Sequence, residues 1–217
     1  MQFQKNNEKI LIIDFGSQVT KLIARRIRDL GVYSEIITPK SINKIVNFSK
    51  IKGIILSGGP STVTKKNFQR IPKFFFSKKI PILGICYGLQ LIAKLHGGKI
   101  KASKKRREFG RAYIYQSKKS LLTKNFYKSK RTVWMSHEDA VSKLPKNFKA
   151  VAYTKSSRLT IIENTKEKIY GVQFHPEVSH TDNGKQIFKN FLFLICKIKR
   201  KWSVVSQKTR IIQEIKQ

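Results

Sequence analysis

The stretch Pro81-Ile-Leu-Gly-Ile-Cys-Tyr-Gly-Leu-Gln-Leu-Ile-Ala93 restricts this chain more than any other. An apolar run, Ile80 to Leu83, reads as a buried strand. A helical apolar pattern at Leu89, Leu91, Ile92 and Leu95 follows at once. Between them sits Cys86, flanked by Gly84 and Gly88. So abrupt a strand-to-helix turn presses backbone against backbone, which glycine tolerates and larger residues do not. Its apex projects at the carboxyl end of a strand and the N-terminus of a helix. There the helix dipole and the free first-turn N–H groups favour the thiolate, the nucleophilic form of cysteine. Short motifs also match by chance, and most cysteines are small buried hydrophobes. The rest of the chain has to decide.

The segments before the turn repeat its strand half. Lys9 to Ile13 is an apolar run ending in Asp14-Phe-Gly16. Leu22, Ile23, Ile27 and Leu30 mark one face of a helix, with Ser17 placed to cap it and Gly31 to stop it. Val32 to Ile37 reads as a second strand closed by Pro39. Ile42 to Phe48 reads as a weak helix, and Ile51 to Leu56 as a third strand ending in Ser57-Gly-Gly-Pro-Ser61. Phe68 to Phe76 is helical in part. Continuously apolar strands alternating with helices imply a parallel sheet covered on both faces. Functional loops then gather at the strands' carboxyl ends, here 14–18, 57–61 and 84–88. The Gly58-Gly59 pair lacks phosphate-loop spacing. It reads instead as bare backbone that approaches a substrate and offers an N–H.

After Gly97-Gly98 the character changes. Phe109–Tyr115, Thr132–Met135, Lys149–Thr154, Leu159–Glu163 and Lys168–Phe174 are short alternating or mixed strands. A helix from Gly184 to Ile195 follows. The expected fold is α/β: an open, mostly parallel sheet with helices on both faces and antiparallel additions.

A length of 217 residues with 40% hydrophobic and 11% aromatic content fits one folded domain, or one domain plus an appendage. Two cysteines make no disulfide framework. The polar N-terminus is no signal peptide, and no apolar run approaches the ~20 residues of a membrane span. A cytoplasmic, reducing setting with a free Cys86 thiol is expected. Lys+Arg 46 against Asp+Glu 12 gives a net charge of +34. The lysines are scattered over nearly every loop and helix, with clusters at Lys101–Arg107 and Lys197–Lys201. No recognition-helix, zinc-finger or RNA-binding pattern accompanies them. No specific nucleic acid and no membrane is expected as partner, only salt-sensitive adhesion to polyanions.

A catalytic cysteine needs a base, and the base needs an orienting partner. Of four histidines, His96 falls within the helix after the turn and reads as a packing or surface residue. His137 and His180 fall in loops. His175 ends an apolar strand just as the cysteine turn ends another. Pro176 biases His175 to an extended conformation, in which residues i and i+2 share a side. Glu177 therefore reaches the far nitrogen of His175. Cys86, His175 and Glu177 form a candidate triad.

Gly84-Ile-Cys-Tyr-Gly-Leu-Gln90 together with Gly171-Val-Gln-Phe-His-Pro-Glu177 resembles the class I, or triad, glutamine amidotransferases. Ile13-Asp-Phe-Gly-Ser-Gln18, Leu22-Ile-Ala-Arg-Arg26, Ser57-Gly-Gly-Pro-Ser61, Glu108-Phe-Gly-Arg111, Val133-Trp-Met-Ser-His137 and Val178-Ser-His-Thr181 are similar to the glutaminase domains of the GMP synthases. The likeness covers roughly residues 9 to 197. It implies the flavodoxin-like fold of that class and a mechanism. Cys86 attacks the carboxamide of L-glutamine to give a γ-glutamyl thioester. His175 protonates the departing ammonia and then activates water, and Glu177 orients His175. The N–H groups of Gly59 and Tyr87 form the oxyanion hole. Gln90 contacts the bound glutamine, and the Ser136-His137 backbone holds its α-carboxylate. No metal is implied in this domain. The ammonia passes to an ATP-pyrophosphatase domain or subunit that aminates XMP to GMP, and ATP and magnesium are expected there.

Two departures stand out. Glu138 fills the place of the family's usual glycine, a strained position if the loop needs positive φ. The synthetase's Ser-Gly-Gly-x-Asp-Ser phosphate loop is not in the sequence. Residues 1–197 therefore read as the glutaminase domain. Residues 198–217 read as a basic linker with Trp202, Ile211, Ile212 and Ile215 resembling the first helix of the synthetase domain, whose remainder is absent. Two other readings compete: a hydrolase of other γ-glutamyl bonds, and a non-catalytic basic binding module on the same fold.

Overall fold

The computed structural model describes residues 8–44, 47–102, 108–127 and 132–203. Twelve strands and four helices are present among them. In chain order they are β1 (Lys9–Ile13), α1 (Thr20–Arg28), β2 (Ser34–Ile37), β3 (Ile51–Leu56), α2 (Phe74–Ser77), β4 (Ile82–Ile85) and α3 (Tyr87–Leu95). Then come β5 (Lys99–Ala102), β6 (Glu108–Tyr113), β7 (Tyr115–Gln116), β8 (Thr132–His137) and β9 (Asp139–Lys143). β10 (Lys149–Tyr153), β11 (Ile161–Asn164), β12 (Ile169–Val172) and α4 (Gly184–Lys189) complete the set. α4 runs on as a wider π-helical turn, Asn190–Ile195.

Eight strands make one sheet in the order β2-β1-β3-β4-β12-β11-β10-β7. The first five are mutually parallel. β11, β10 and β7 extend the sheet by antiparallel pairing. The expected parallel sheet with antiparallel additions is thus the observed one. Two small ribbons, β5–β9 and β6–β8, stand apart from it.

The apolar strands are buried on both faces because each face carries its own core. Ile10 and Ile12 of β1 pack on the side of Ile23, Ile27, Ile187 and Phe191. Leu11 and Ile13 of the same strand pack on the other, with Phe75, Tyr87 and Leu91. Each such fully buried side chain is worth about 1.5–3 kcal/mol. The register aligns Leu56 with Gly84 and Ile85 with Val172, so β3, β4 and β12 end level with one another. Three loops therefore open at one place.

Several local expectations fail. Ser17 does not cap α1; the helix starts three residues later without a side-chain cap, and Ser17 instead accepts from the N–H of Val19. Residues 39–44 form a 3-10 turn where a helix was expected from Ile42, because Pro39 fixes its first φ and the run is short. Phe68 to Phe76 is helical in part, as expected: Phe74 to Phe76 lie in the four-residue α2 and Phe68 lies outside it. β5 and β9 carry little strand signal in the sequence: β5 is four largely exposed residues, and β9 alternates only over its first three. Gly31 does end α1, with φ +78°. Beyond the domain boundary expected at residue 197, Ile198 is still core. Lys201 and Trp202 donate their N–H groups to the carbonyl of Gly31. The helix expected from Ile211 to Ile215 lies outside the described residues. Among the described residues, no helix is long and apolar enough to cross a membrane.

Candidate active site

The turn between β4 and α3 is as tight as its glycines require. A Cβ on Gly84 would lie 2.5 Å from the backbone of Gly88, and one on Gly88 would lie 2.3 Å from the carbonyl oxygen of Leu56. Cys86 itself sits at φ +51°, ψ −104°. A non-glycine residue held there stores about 1–3 kcal/mol of strain, which the packed strand and helix on either side sustain. The Cys86 N–H donates to Val172 (2.8 Å) and its carbonyl accepts from Gln90 (3.1 Å). The thiol is nearly buried. It faces the carbonyl oxygen of Ser136 at 3.6 Å and the side-chain amide of Gln173 at 3.7 Å.

His175 arrives from the end of β12, the strand beside β4. Its Nδ1 lies 2.8 Å from Oε1 of Glu177. Glu177 is fully buried, and among the described residues its second oxygen has no hydrogen-bond partner. Its charge is directed at the imidazole. Burial alone would push the His175 pKa down. Hydrogen bonds to Cys86 and Glu177, and the charges of both, outweigh it and raise the pKa to about 10. The imidazole is thereby held as a proton donor beside the Cys86 sulfur. The segment is anchored from outside. Thr181 Oγ1 donates to the His175 carbonyl (2.6 Å), the His175 N–H donates to Trp134 (3.0 Å), and Arg26 Nε donates to the Glu177 carbonyl (2.9 Å).

Two hollows meet at Cys86. One, of about 430 Å³, includes Ser17, Gln18, Trp134 and His175 in its lining. The other, of about 550 Å³, includes Tyr87, Gln90, His137 and Glu138. Gly59, Pro60, Cys86 and Ser136 line both. Seven of the eight site residues expected from sequence thus line a hollow, and Glu177 stands behind His175. Tyr87 opens α3, where a first-turn N–H has no intrahelical acceptor. Gln90 is placed differently from a simple substrate contact. Its amide nitrogen donates to the carbonyl of Asp139 at 2.7 Å, pinning the start of β9 to α3 and leaving its oxygen for other partners.

His137 ends β8 and meets Glu108, which starts the paired strand β6. Nε2 to Oε2 is 3.3 Å, ion-pair distance without an aligned hydrogen bond. Burial pushes the Glu108 pKa up, but His137 and the hydroxyls of Ser156 and Thr154 reverse the shift, leaving it below the ordinary glutamate range. Glu138, next in the chain, is exposed and is not among the residues with positive φ, so the strain expected there does not arise. His96 accepts no role at the site: it packs edge-on between Phe76 and Phe148. His180 lies on the surface against the Trp134 ring. Among the described residues, no group of three or more His, Cys, Asp or Glu side chains is arranged to hold a metal ion.

Sequence reasoning missed Gln173 and Arg26. The alternation that joined His175 to Glu177 extends equally to Gln173. Arg26 falls in a stretch that carries the family likeness, but nothing local pointed it at Glu177, because the contact spans 151 residues.

Comparison with known proteins agrees with this geometry. The family profile described as "Glutamine amidotransferase class-I" matches residues 11–195. The chain is 49% identical over 204 residues to the GMP synthase (glutamine-hydrolysing) of Brachyspira hyodysenteriae, covering 94% of this chain and 39% of that protein. It is 45% identical over 210 residues to the one from Clostridium tetani, covering 97% and 41%. The chain therefore spans about two fifths of the length of these relatives. A Thermoplasma acidophilum protein, crystallised under a provisional assignment as one of the subunits of GMP synthase, superposes with a TM-score of 0.77 at 29% identity, covering 96% of this chain and 98% of that one. A glutamine amidotransferase from Thermotoga maritima shares the fold, with a TM-score of 0.69 at 21% identity, covering 90% and 88%. With its cysteine turn, its buried His–Glu pair and a profile match over most of its length, this chain belongs to the class I glutamine amidotransferase family.

Proposed function

We propose that the chain is the glutaminase component of a GMP synthase, and that Cys86, His175 and Glu177 are its catalytic triad. The observation that carries this reading is a strained, nearly buried cysteine held beside a histidine whose far nitrogen is fixed by a buried glutamate at 2.8 Å. Cys86 sulfur attacks the side-chain carbonyl carbon of L-glutamine. His175, as imidazolium, gives its proton to the departing ammonia, leaving a γ-glutamyl thioester. It then takes a proton from water as that water attacks the thioester carbon. The N–H groups of Gly59 and Tyr87 meet the oxyanion in both steps, a contribution of about 3 kcal/mol for each donor. Glutamine occupies the larger hollow, with Gln90 and the Ser136-His137 backbone around it. Ammonia passes to an ATP-pyrophosphatase domain or subunit that adenylates and aminates XMP. ATP and magnesium act on that partner; the phosphate loop for it is not in this sequence. The glutaminase takes residues 1–197, with Ile198 still packed on its core, and 198–217 form the basic linker and the start of the partner domain's first helix. The setting is the reducing cytoplasm, where both cysteines stay free.

The test is labelling with a chloroketone analogue of glutamine, followed by peptide mass analysis. Cys86 should be the modified residue, and Cys86→Ala should abolish both labelling and glutamine-dependent GMP formation in the presence of an XMP-aminating partner. Labelling elsewhere, or no labelling with the partner present, overturns the assignment. A chain that labels at Cys86 but supports no GMP formation would instead be a hydrolase of γ-glutamyl bonds.

A further inference from the structure

The sulfur of Cys86 faces a second side chain from the histidine's strand. Nε2 of Gln173 lies 3.7 Å from Cys86 Sγ. Gln173 is fully buried, an unusual place for a glutamine. Its backbone N–H is satisfied by Thr160 at 2.8 Å. Its side-chain oxygen, by contrast, has no hydrogen-bond partner among the described residues. A buried polar amide with half its bonding unmet is costly where a leucine or methionine would fill the same space. Something other than packing therefore favours an amide, and the atom it touches is the nucleophile.

The register explains the convergence. β4 and β12 pair Ile85 with Val172, so Cys86 and Gln173 are the next residues on each strand. The Cys86 N–H donates to the Val172 carbonyl, which holds the two strand ends together. His175 follows Gln173 by two residues, the spacing that repeats a side in extended chain. Two donors, one neutral and one cationic, thus approach one sulfur from the same segment.

We propose that Gln173 is a further catalytic residue, whose side-chain N–H stabilises the Cys86 thiolate. The inference rests on the reading of Cys86 as the nucleophile. The donor acts at two points. It favours the thiolate before attack. It acts again when water's oxygen bonds to the thioester carbon and the C–S bond breaks, with the electron pair returning to sulfur and the water proton going to His175. A neutral amide does not titrate, so its support is the same at every pH. The other charged groups around the sulfur do titrate. His175 faces it with Glu177 behind; His137, Glu138 and Asp139 from the β8–β9 turn, and Lys65 from the loop after β3, line the hollow that opens on it.

The test is the pH dependence of Cys86 alkylation by iodoacetamide, with the modified residue identified by mass spectrometry. Iodoacetamide needs no glutamine site, so the readout is independent of substrate identity. In Gln173→Leu and in the length-matched Gln173→Met, the ionisation midpoint should rise by about one unit, the scale of one lost hydrogen bond to a charged group. Glutaminase kcat should fall about tenfold with KM nearly unchanged. Gln173→Glu should raise the midpoint further, since a carboxylate repels the thiolate. A variant that melts like the wild type and shows an unshifted midpoint overturns the proposal. The wild-type chain gives a second readout: the side-chain amide NMR signals of Gln173 should move when Cys86 is alkylated, and unmoved signals overturn it equally. A wild-type Cys86 with ordinary thiol reactivity would instead remove the nucleophile reading beneath it.

Discussion

Two histidine–glutamate pairs flank Cys86, and they are built differently. His175 and Glu177 belong to one extended segment, two residues apart, with an aligned contact of 2.8 Å. His137 and Glu108 come from opposite strands of the β6–β8 ribbon and approach to 3.3 Å without alignment. In the first pair the acid is wholly buried and nothing else among the described residues bonds its second oxygen, so its charge is given to the imidazole. In the second the acid shares its charge among His137, Ser156 and Thr154. A carboxylate with one partner drives that partner's proton affinity. One with three partners is itself the stabilised group, and it holds the hollow's wall in shape. The two pairs have the same residues and opposite electrostatic consequences.

The largest effect expected from breaking this contrast is at the first pair. His175→Asn should lower the kcat of glutamine hydrolysis by roughly 10³-fold or more, measured as ammonia release with the partner present. Glu177→Gln keeps shape and removes charge. A loss of roughly 10²–10³-fold is expected, with the alkylation midpoint of Cys86 moving up as the imidazolium is weakened. A Glu177→Gln enzyme with wild-type kcat would break the comparison.

The pairs should also separate by pH. The raised pKa of His175 adds stability that is complete below the ordinary histidine value near 6.5 and is lost as pH rises through about 10. The lowered pKa of Glu108 adds stability that is complete above 4.5 and is lost as pH falls through its depressed value. Melting curves should therefore show His175→Asn converging on the wild type toward pH 10, and Glu108→Gln converging on it in acid. Convergence at the same end would show that the pairs are electrostatically alike. The smallest effect is kinetic. Glu108→Gln should raise the KM for glutamine by about threefold to tenfold with kcat within about threefold, as expected of a group that shapes a wall without meeting the reacting atoms.

The same difference governs what was legible. His175 and Glu177 were readable together because the geometry of an extended chain links them locally. Glu108 and His137 each stood in a recognised motif, yet nothing local joined them; only the ribbon register does. The failures of detail have the same origin. Ser17 has the right chemistry for a cap, but the turn closes on Thr20 and Asp14, with Thr20 Oγ1 donating to Asp14 at 2.7 Å. The family likeness implies glycine in place of Glu138, and only the observed backbone shows that no positive φ is needed there.

The sequence by itself determined the parallel core, the cysteine turn and the histidine segment. Continuous apolar strands must be covered on both faces, and glycines at Gly84 and Gly88 leave one way to pass from strand to helix. Those are short-range constraints of sterics and burial. Only the tertiary structure decided that β12 lies beside β4, with Cys86 and Gln173 adjacent on neighbouring strands and His175 two residues on. Strand order is a long-range choice, fixed by which apolar faces close the core. That choice gave a reactive-looking cysteine at the end of one strand an imidazole and an amide from the segment that follows the next.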